Sequence, residues 1–167
     1  LGLPVLGGVE WLLRQAPRRI ALGTGNNARR AELPGRLQAA GHVLGTWVHA
    51  TAWVSPTATL GEGTVVMAKA VVNAEARIGR GVIVNTAAVI EHECVLGDFC
   101  HVSPNAALGG RSTVGARSHD GIGASLLQLA QVGDDAVVGA GAVVLKRVES
   151  NTTVAGVPAR RLRESDR

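Results

Sequence analysis

From Val48 to Val144 every sixth residue is Val, Ile or Leu, with Asp120 the one exception. Two positions before each following step lies a second register, Ala52, Ala58, Thr64 and onward to Val148, and it holds only small or narrow side chains. Residues two apart on a strand point the same way. The double register therefore describes a short strand that sends a small and an aliphatic side chain inward and then turns a corner. Gly follows this register position at 61, 79, 97, 109, 115, 121, 133 and 139, and Asn at 73 and 85, types suited to tight-turn backbone angles. The series Gly61, Gly79, Gly97, Gly115 and Gly133 is spaced by 18, so three hexads make one triangular coil. About five and a half such coils stack from Val48 to Val148 as parallel strands. An amphipathic helix needs apolar spacing near 3.6, which this stretch lacks. The expectation is a mostly β protein, a parallel β-helix.

A core of many small equivalent units also fits the composition, which has three Trp, one Phe and no Tyr but 22 Gly. The 167 residues suffice for one domain with a small appendage. We divide them into a partial α/β segment over 1–47, the β-helix over 48–149, and a C-terminal loop and tail over 150–167. In the first, "RRIALGTGNNARRAELPGRLQAAGHVLG" reads as a strand near residues 20–22, a glycine turn, a helix to about residue 40 that Pro34 weakens or restarts, and a strand near Val43. The GTGNN turn reads as a plain turn more readily than as a phosphate cradle, since a full GxGxxG is missing.

A net charge of +4, with Arg160, Arg161, Arg163 and Arg167 crowded at the end, suits a small anionic ligand or a solvated tail. No long apolar run or signal-peptide pattern is present, so a cytoplasmic protein with no membrane or nucleic-acid partner is expected. The chain does not open on Met and is expected to be part of something longer.

The register also places the reactive residues. Cys94 and Cys100 fall in the small inward slot on successive faces and read as buried small hydrophobes. His92 lies two past Ile90, at a corner, and His101 one before Val102, facing outward. Within one chain the two cannot touch; a second prism packed alongside would bring them together. Stepping by 18 from His92 gives Ala74 and Gly110 on the neighbouring coils, small residues that leave room for a ligand, and then Gln128 and Lys146 further along the same edge. Glu93 can hold the imidazole in one tautomer. A surface histidine with a chance acidic neighbour is the plainer alternative. His119, one coil above His101, either stacks on it or is an outward residue without consequence. Asp120 sits where an aliphatic belongs, so either the strand is distorted there or burial raises its pKa.

The stretches "VNAEARIG", "IVNTAAVIEHECVLGDFCHVSPNAALGG", "GIGAS", "VGAGAVVLKRV" and "VAGVPARRL" resemble the hexapeptide-repeat sugar O-acyltransferase family, which contains sialic acid O-acetyltransferases and UDP-4-amino-sugar N-acetyltransferases. The likeness runs from Gly2 to Leu162 and is most specific between Asn85 and Gly110. It implies a left-handed prism, acetyl-CoA as co-substrate and a homotrimer. It also implies His92 as catalytic base with Glu93 as its carboxylate partner, Asn85 near the acceptor, and His101 lining the acetyl-CoA groove. Gly110, Ile122 and Ala140 then line the pantetheine path, and Gly156 and Arg160 of "GVPAR" lie near the nucleotide end, where Lys146 and Arg160 suit phosphates. Backbone N–H groups at Gly109 and Gly110 are candidate oxyanion donors.

The function implied is acetyl transfer to the amino group of a UDP-4-amino-4-deoxy sugar. O-acetylation of sialic acid or another hydroxyl acceptor is the alternative. A noncatalytic β-helix is a third reading, and the γ-type carbonic anhydrases a fourth. The last need two zinc histidines five apart, whereas His49, His92, His101 and His119 show no such pair, so no metal is expected. Family members usually open with a glycine-rich nucleotide-binding strand-turn; this chain starts after it, at "GLPVLGG".

Overall fold

The computed structural model describes residues 2–162. Its main body is a three-sided column of two-residue strands. Trp47–Val48, Val65–Val66, Ile83–Val84, His101–Val102, His119–Asp120, Val137–Val138 and Thr153–Ala155 stack as the first face. The second face runs from Trp53–Val54 to Val143–Val144 and the third from Thr59–Leu60 to Arg147–Val148, six strands each. Pairing within these stacks is parallel and in register, Val89 opposite Val71 and Ala107, for instance, so each coil takes 18 residues as the spacing requires. The architecture is the left-handed parallel β-helix that the resemblance implied. Both inward registers are buried through the column, from Val66 and Ala70 to Val144 and Val148. Removing each such Val or Leu from water contributes about 1.5–3 kcal/mol, and this replaces the large-residue core the composition forbids.

Two local expectations are corrected. The glycines that follow the aliphatics do not take the left-handed backbone. That conformation falls two residues later, at Lys69, Glu75, Ala87, Glu93, Phe99, Asn105 and Arg111, with φ between 55° and 60°, and at Gly63, Gly81 and Gly123. Gly61 and Gly97 are required for another reason. A Cβ on them would come within 2.5 and 2.6 Å of backbone atoms of the coil above. The corner after the aliphatic is thus a close approach between coils and not a φ > 0 position.

The second correction is at the end of the column. The corner between Val143–Val144 and Arg147–Val148 holds only Leu145 and Lys146, so Val132 pairs with Val148, sixteen residues on. Val148 therefore fills an aliphatic slot, not the small one. Lys146 aligns with Ala130 and not with Gln128, its N-terminal neighbour strand being two residues nearer than an 18-step repeat allows.

Before the column come a short helix, α1 (Val9–Leu12), and a βαβ unit. The latter comprises Arg19–Ile20, α2 (Asn27–Ala39) and Val43–Leu44, with its two strands parallel. Helix α2 runs unbroken through Pro34, which is buried. Leu22, Leu37 and Leu44 pack with Phe99 of the column in a second apolar cluster. Arg30 of α2, with no exposed surface, donates to the carbonyls of Gly81 (2.7 Å), Phe99 (2.6 Å), Cys100 (3.1 Å) and Thr24 (3.0 Å). Asn27 Nδ2 reaches the carbonyls of Arg117 and Ser118, each at 2.9 Å. The GTGNN turn is thereby pinned against the first face, while Asn26 caps α2 by accepting from the Arg29 N–H at 2.9 Å. Among the described residues no helix is long and apolar enough to cross a membrane.

Candidate active site

His92 projects from the corner between the second and third faces, and its side chain is 56 % exposed. Its Nδ1 lies 3.1 Å from Glu93 Oε2. A carboxylate only accepts, so the contact places the imidazole proton on Nδ1 and leaves the Nε2 lone pair free. Nε2 sits beneath Gly110 of the next coil, where a Cβ would come within 2.5 Å of it. Gly110 thus makes room for the imidazole itself, and the space expected for a ligand lies further along. A groove of about 250 Å³ there is lined by His92, Gly110, Arg111, Gln128 and Leu129. Glu93 is held well below the ordinary carboxylate range, first by the Arg111 hydrogen bond at 3.0 Å and then by His92, so it stays an anion. Of the two proposed oxyanion donors, Gly109 N–H is taken by the Leu126 carbonyl at 2.9 Å, which leaves Gly110.

A second group gathers at the first face. Thr86 N–H donates to Asn85 Oδ1 at 2.7 Å, which fixes the amide so that Nδ2 faces His101 Nε2 at 3.0 Å. Nε2 must then accept, and the His101 proton belongs on Nδ1, a buried atom that has no partner at good hydrogen-bond geometry among the described residues and whose closest polar neighbour is the Gly25 backbone. His119 stacks on His101 with ring centroids 4.8 Å apart and 25° between planes, and its Nε2 meets Ser103 Oγ at 2.8 Å. Burial, the neighbouring His119 and then Arg30 push the His101 pKa down to about 4, with the nearby Gly25 backbone opposing part of the shift. Burial, then Arg30, lowers His119 too. Asp120 keeps its strand in register on both sides, paired with Val102 and Val138, so distortion is ruled out. Neither carboxyl oxygen has a partner among the described residues, and burial raises the pKa to about 7. Cys94 and Cys100 are free and buried, and burial raises both thiols.

The expected site residues fall on two edges of the second face. His92, Glu93 and Gly110 lie on one; Asn85, Ile122 and Ala140 lie on the other, with His101 on the adjoining first face. The chain does not bring the two groups together. Ile122 is exposed. Lys146 and Arg160 meet at the C-terminal end of the column, where they share with Arg147 and Arg161 a cleft of about 380 Å³ floored by Val148 and Val154. Gly156 lies in the turn that precedes Arg160. No group of three or more His, Cys, Asp or Glu among the described residues is placed to hold a metal ion. Arg111, which shares Glu93 with His92, was not anticipated. The 18-residue step that led from His92 to Gly110 leads equally from Glu93 to Arg111.

Neither a family model nor a curated protein matches the chain. Solved structures do. The acetyltransferase domain of PglB from Neisseria gonorrhoeae FA1090, also solved in complex with acetyl coenzyme A, is 41 % identical with a TM-score of 0.94, over 96 % of this chain and 80 % of that one. PerB from Caulobacter crescentus, in complex with CoA and GDP-perosamine, is 38 % identical with a TM-score of 0.94, over 98 % of this chain and 80 % of that one. WeeI from Acinetobacter baumannii AYE is 26 % identical with a TM-score of 0.84, over 96 % and 79 %. With the column, its corners and this level of identity over nearly its whole length, the chain belongs to the hexapeptide-repeat sugar acetyltransferase family.

Proposed function

We propose that this protein transfers the acetyl group of acetyl-CoA to the amino group of a nucleotide-linked amino sugar, with His92 as general base. The observation that carries the reading is the state of His92: Nδ1 committed to an anionic Glu93, Nε2 bare, at the mouth of a groove. As the amine nitrogen bonds to the thioester carbonyl carbon it sheds a proton to Nε2. When the C–S bond breaks, that proton passes on to the departing thiolate. General-base assistance of this kind contributes about 10²- to 10⁴-fold. Gly110 N–H is the donor for the transient oxyanion. The residues along the edge suit the co-substrate: Leu129 and Leu145 offer exposed apolar surface, and Lys146, Arg147 and Arg160 offer cations at the end.

The active form is a homotrimer in which His92 of one subunit meets the Asn85 and His101 edge of another. Support comes from the second face, whose outward column of Trp53, Val71, Val89, Ala107, Ser125 and Val143 is nearly free of polar groups. The acceptor is expected to be a UDP-4-amino-4-deoxy sugar. A GDP-linked amino sugar is the second reading, favoured by the likeness to PerB with its GDP-perosamine. Thiol release from acetyl-CoA, measured with UDP-4-amino sugars, GDP-perosamine and sialic acid in turn, identifies the acceptor. His92→Ala should abolish turnover, by about 10²-fold or more. Activity within a few-fold of the parent overturns the assignment of the base.

A further inference from the structure

We infer that Arg111 is a positioning residue for this reaction: one coil above Glu93, it fixes the carboxylate that fixes the His92 imidazole. The inference rests on the reading of His92 as base. Its geometry is a block of four residues in two coils. His92 lies beneath Gly110, and Glu93 lies beneath Arg111. Arg111 Nε donates to Glu93 Oε2 at 3.0 Å, and the same oxygen faces His92 Nδ1 at 3.1 Å. The block is tied at the backbone as well, since Arg111 N–H donates to the His92 carbonyl at 2.9 Å.

Ion pairs between residues 18 apart are a common device of this column. Arg80 pairs with Asp98 and Arg117 with Asp135 in the same way. In neither of those does the carboxylate also hold an imidazole. Glu93 is 42 % exposed and stands at a corner, where solvent would leave its side chain free to rotate away. The other charged groups of this corner do not secure it. Glu91 is engaged by Asn73 at 3.1 Å, and Glu75, one coil below, carries the same charge. Arg111 is the cation that holds Oε2 toward His92.

A residue acting through another is recognised by non-additivity. The kinetics of R111Q, E93Q and the double variant would be measured with acetyl-CoA and either a UDP-4-amino sugar or GDP-perosamine, whichever the parent turns over. R111Q should lower kcat about fivefold, the scale on which an exposed ion pair secures a geometry, with both KM values within twofold. The double variant should be no slower than E93Q, and R111K should recover part of the loss. Histidine ¹⁵N spectra of the unliganded protein supply a readout independent of turnover. The His92 signal should report Nδ1–H in the parent and move toward Nε2–H in R111Q and E93Q. Losses that multiply in the double variant would mean that Arg111 meets substrate directly and would overturn the inference, as would an unchanged kcat and tautomer in R111Q. If His92→Ala remained active, the fault would lie with the base assignment instead.

Discussion

Asp120 and His101 pull stability in opposite directions with pH. In the native protein Asp120 keeps its proton to about pH 7, whereas an unfolded aspartate releases it near 4. Stability is therefore lost as pH rises through that window, by roughly 4 kcal/mol in all. His101 is neutral in the native state down to about pH 4, whereas the unfolded imidazole takes a proton below about 6.5, so its effect is lost stability as pH falls. In the parent the two trends offset one another between pH 4 and 6.5. Asp120→Val should be more stable at pH 8, where the whole ionic cost is relieved, and should gain less at pH 4, where only the cost of an unpartnered neutral carboxyl is removed. Urea denaturation at several pH values checks this; a variant less stable than the parent at pH 8 would mean the carboxyl has a partner. The misfit was legible in the sequence because the repeat is so regular. What the repeat could not reveal is which of two responses, strand distortion or a raised pKa, the column would choose. Regular pairing on both sides of Asp120 decides it. The adjacent Glu93 already pointed to a fixed tautomer for His92, whereas that of His101 was hidden, since it depends on the Thr86 N–H that orients Asn85.

At the scale of elements, a two-residue strand has no stability of its own and exists because each coil pairs with the next. This is why a period of 18 was readable while the role of each corner residue was not. Gly61 and Lys69 both stand at corners, but one is dictated by backbone in the adjacent coil and the other by its own φ of 59°. Sequence spacing cannot separate these causes. The shortened last corner was missed because Val148 is apolar and fits either register. The βαβ unit was legible from its turn and helix signals, but its attachment was not, since Arg30 in a helix ordinarily reads as a solvated cation. Instead it joins α2 to the column by bonding three of its backbone carbonyls. Arg30→Met should cost about 3 kcal/mol or more, because carbonyls buried beneath the helix would lose their donors. Thermal unfolding measures the loss. Limited proteolysis should cut first between residues 1 and 47, with the column protected; an unchanged melting temperature would show that the apolar cluster alone holds the unit.

For the whole molecule, the distribution of the site residues has a consequence that can be counted. His92 and Glu93 stand on one edge of the second face and Asn85 on the other, so a trimer that pairs unlike edges builds three equivalent sites, each from two subunits. Two variants, His92→Ala and His101→Ala, should each be impaired as homotrimers, since every site then lacks one half. In trimers reassembled from an equal mixture, a site is intact when the subunit giving His92 is the His101 variant and its neighbour the His92 variant, which random assembly supplies at about one site in four. Turnover should rise from near zero to about a quarter of the parent's when the two proteins are unfolded and refolded together, and should stay low when they are refolded apart and then mixed. If each chain contained a complete site, co-refolding would restore nothing, because every subunit would still carry its own lesion. Recovery near one quarter would thus place the chemistry between chains, where the two edges of an apolar face meet.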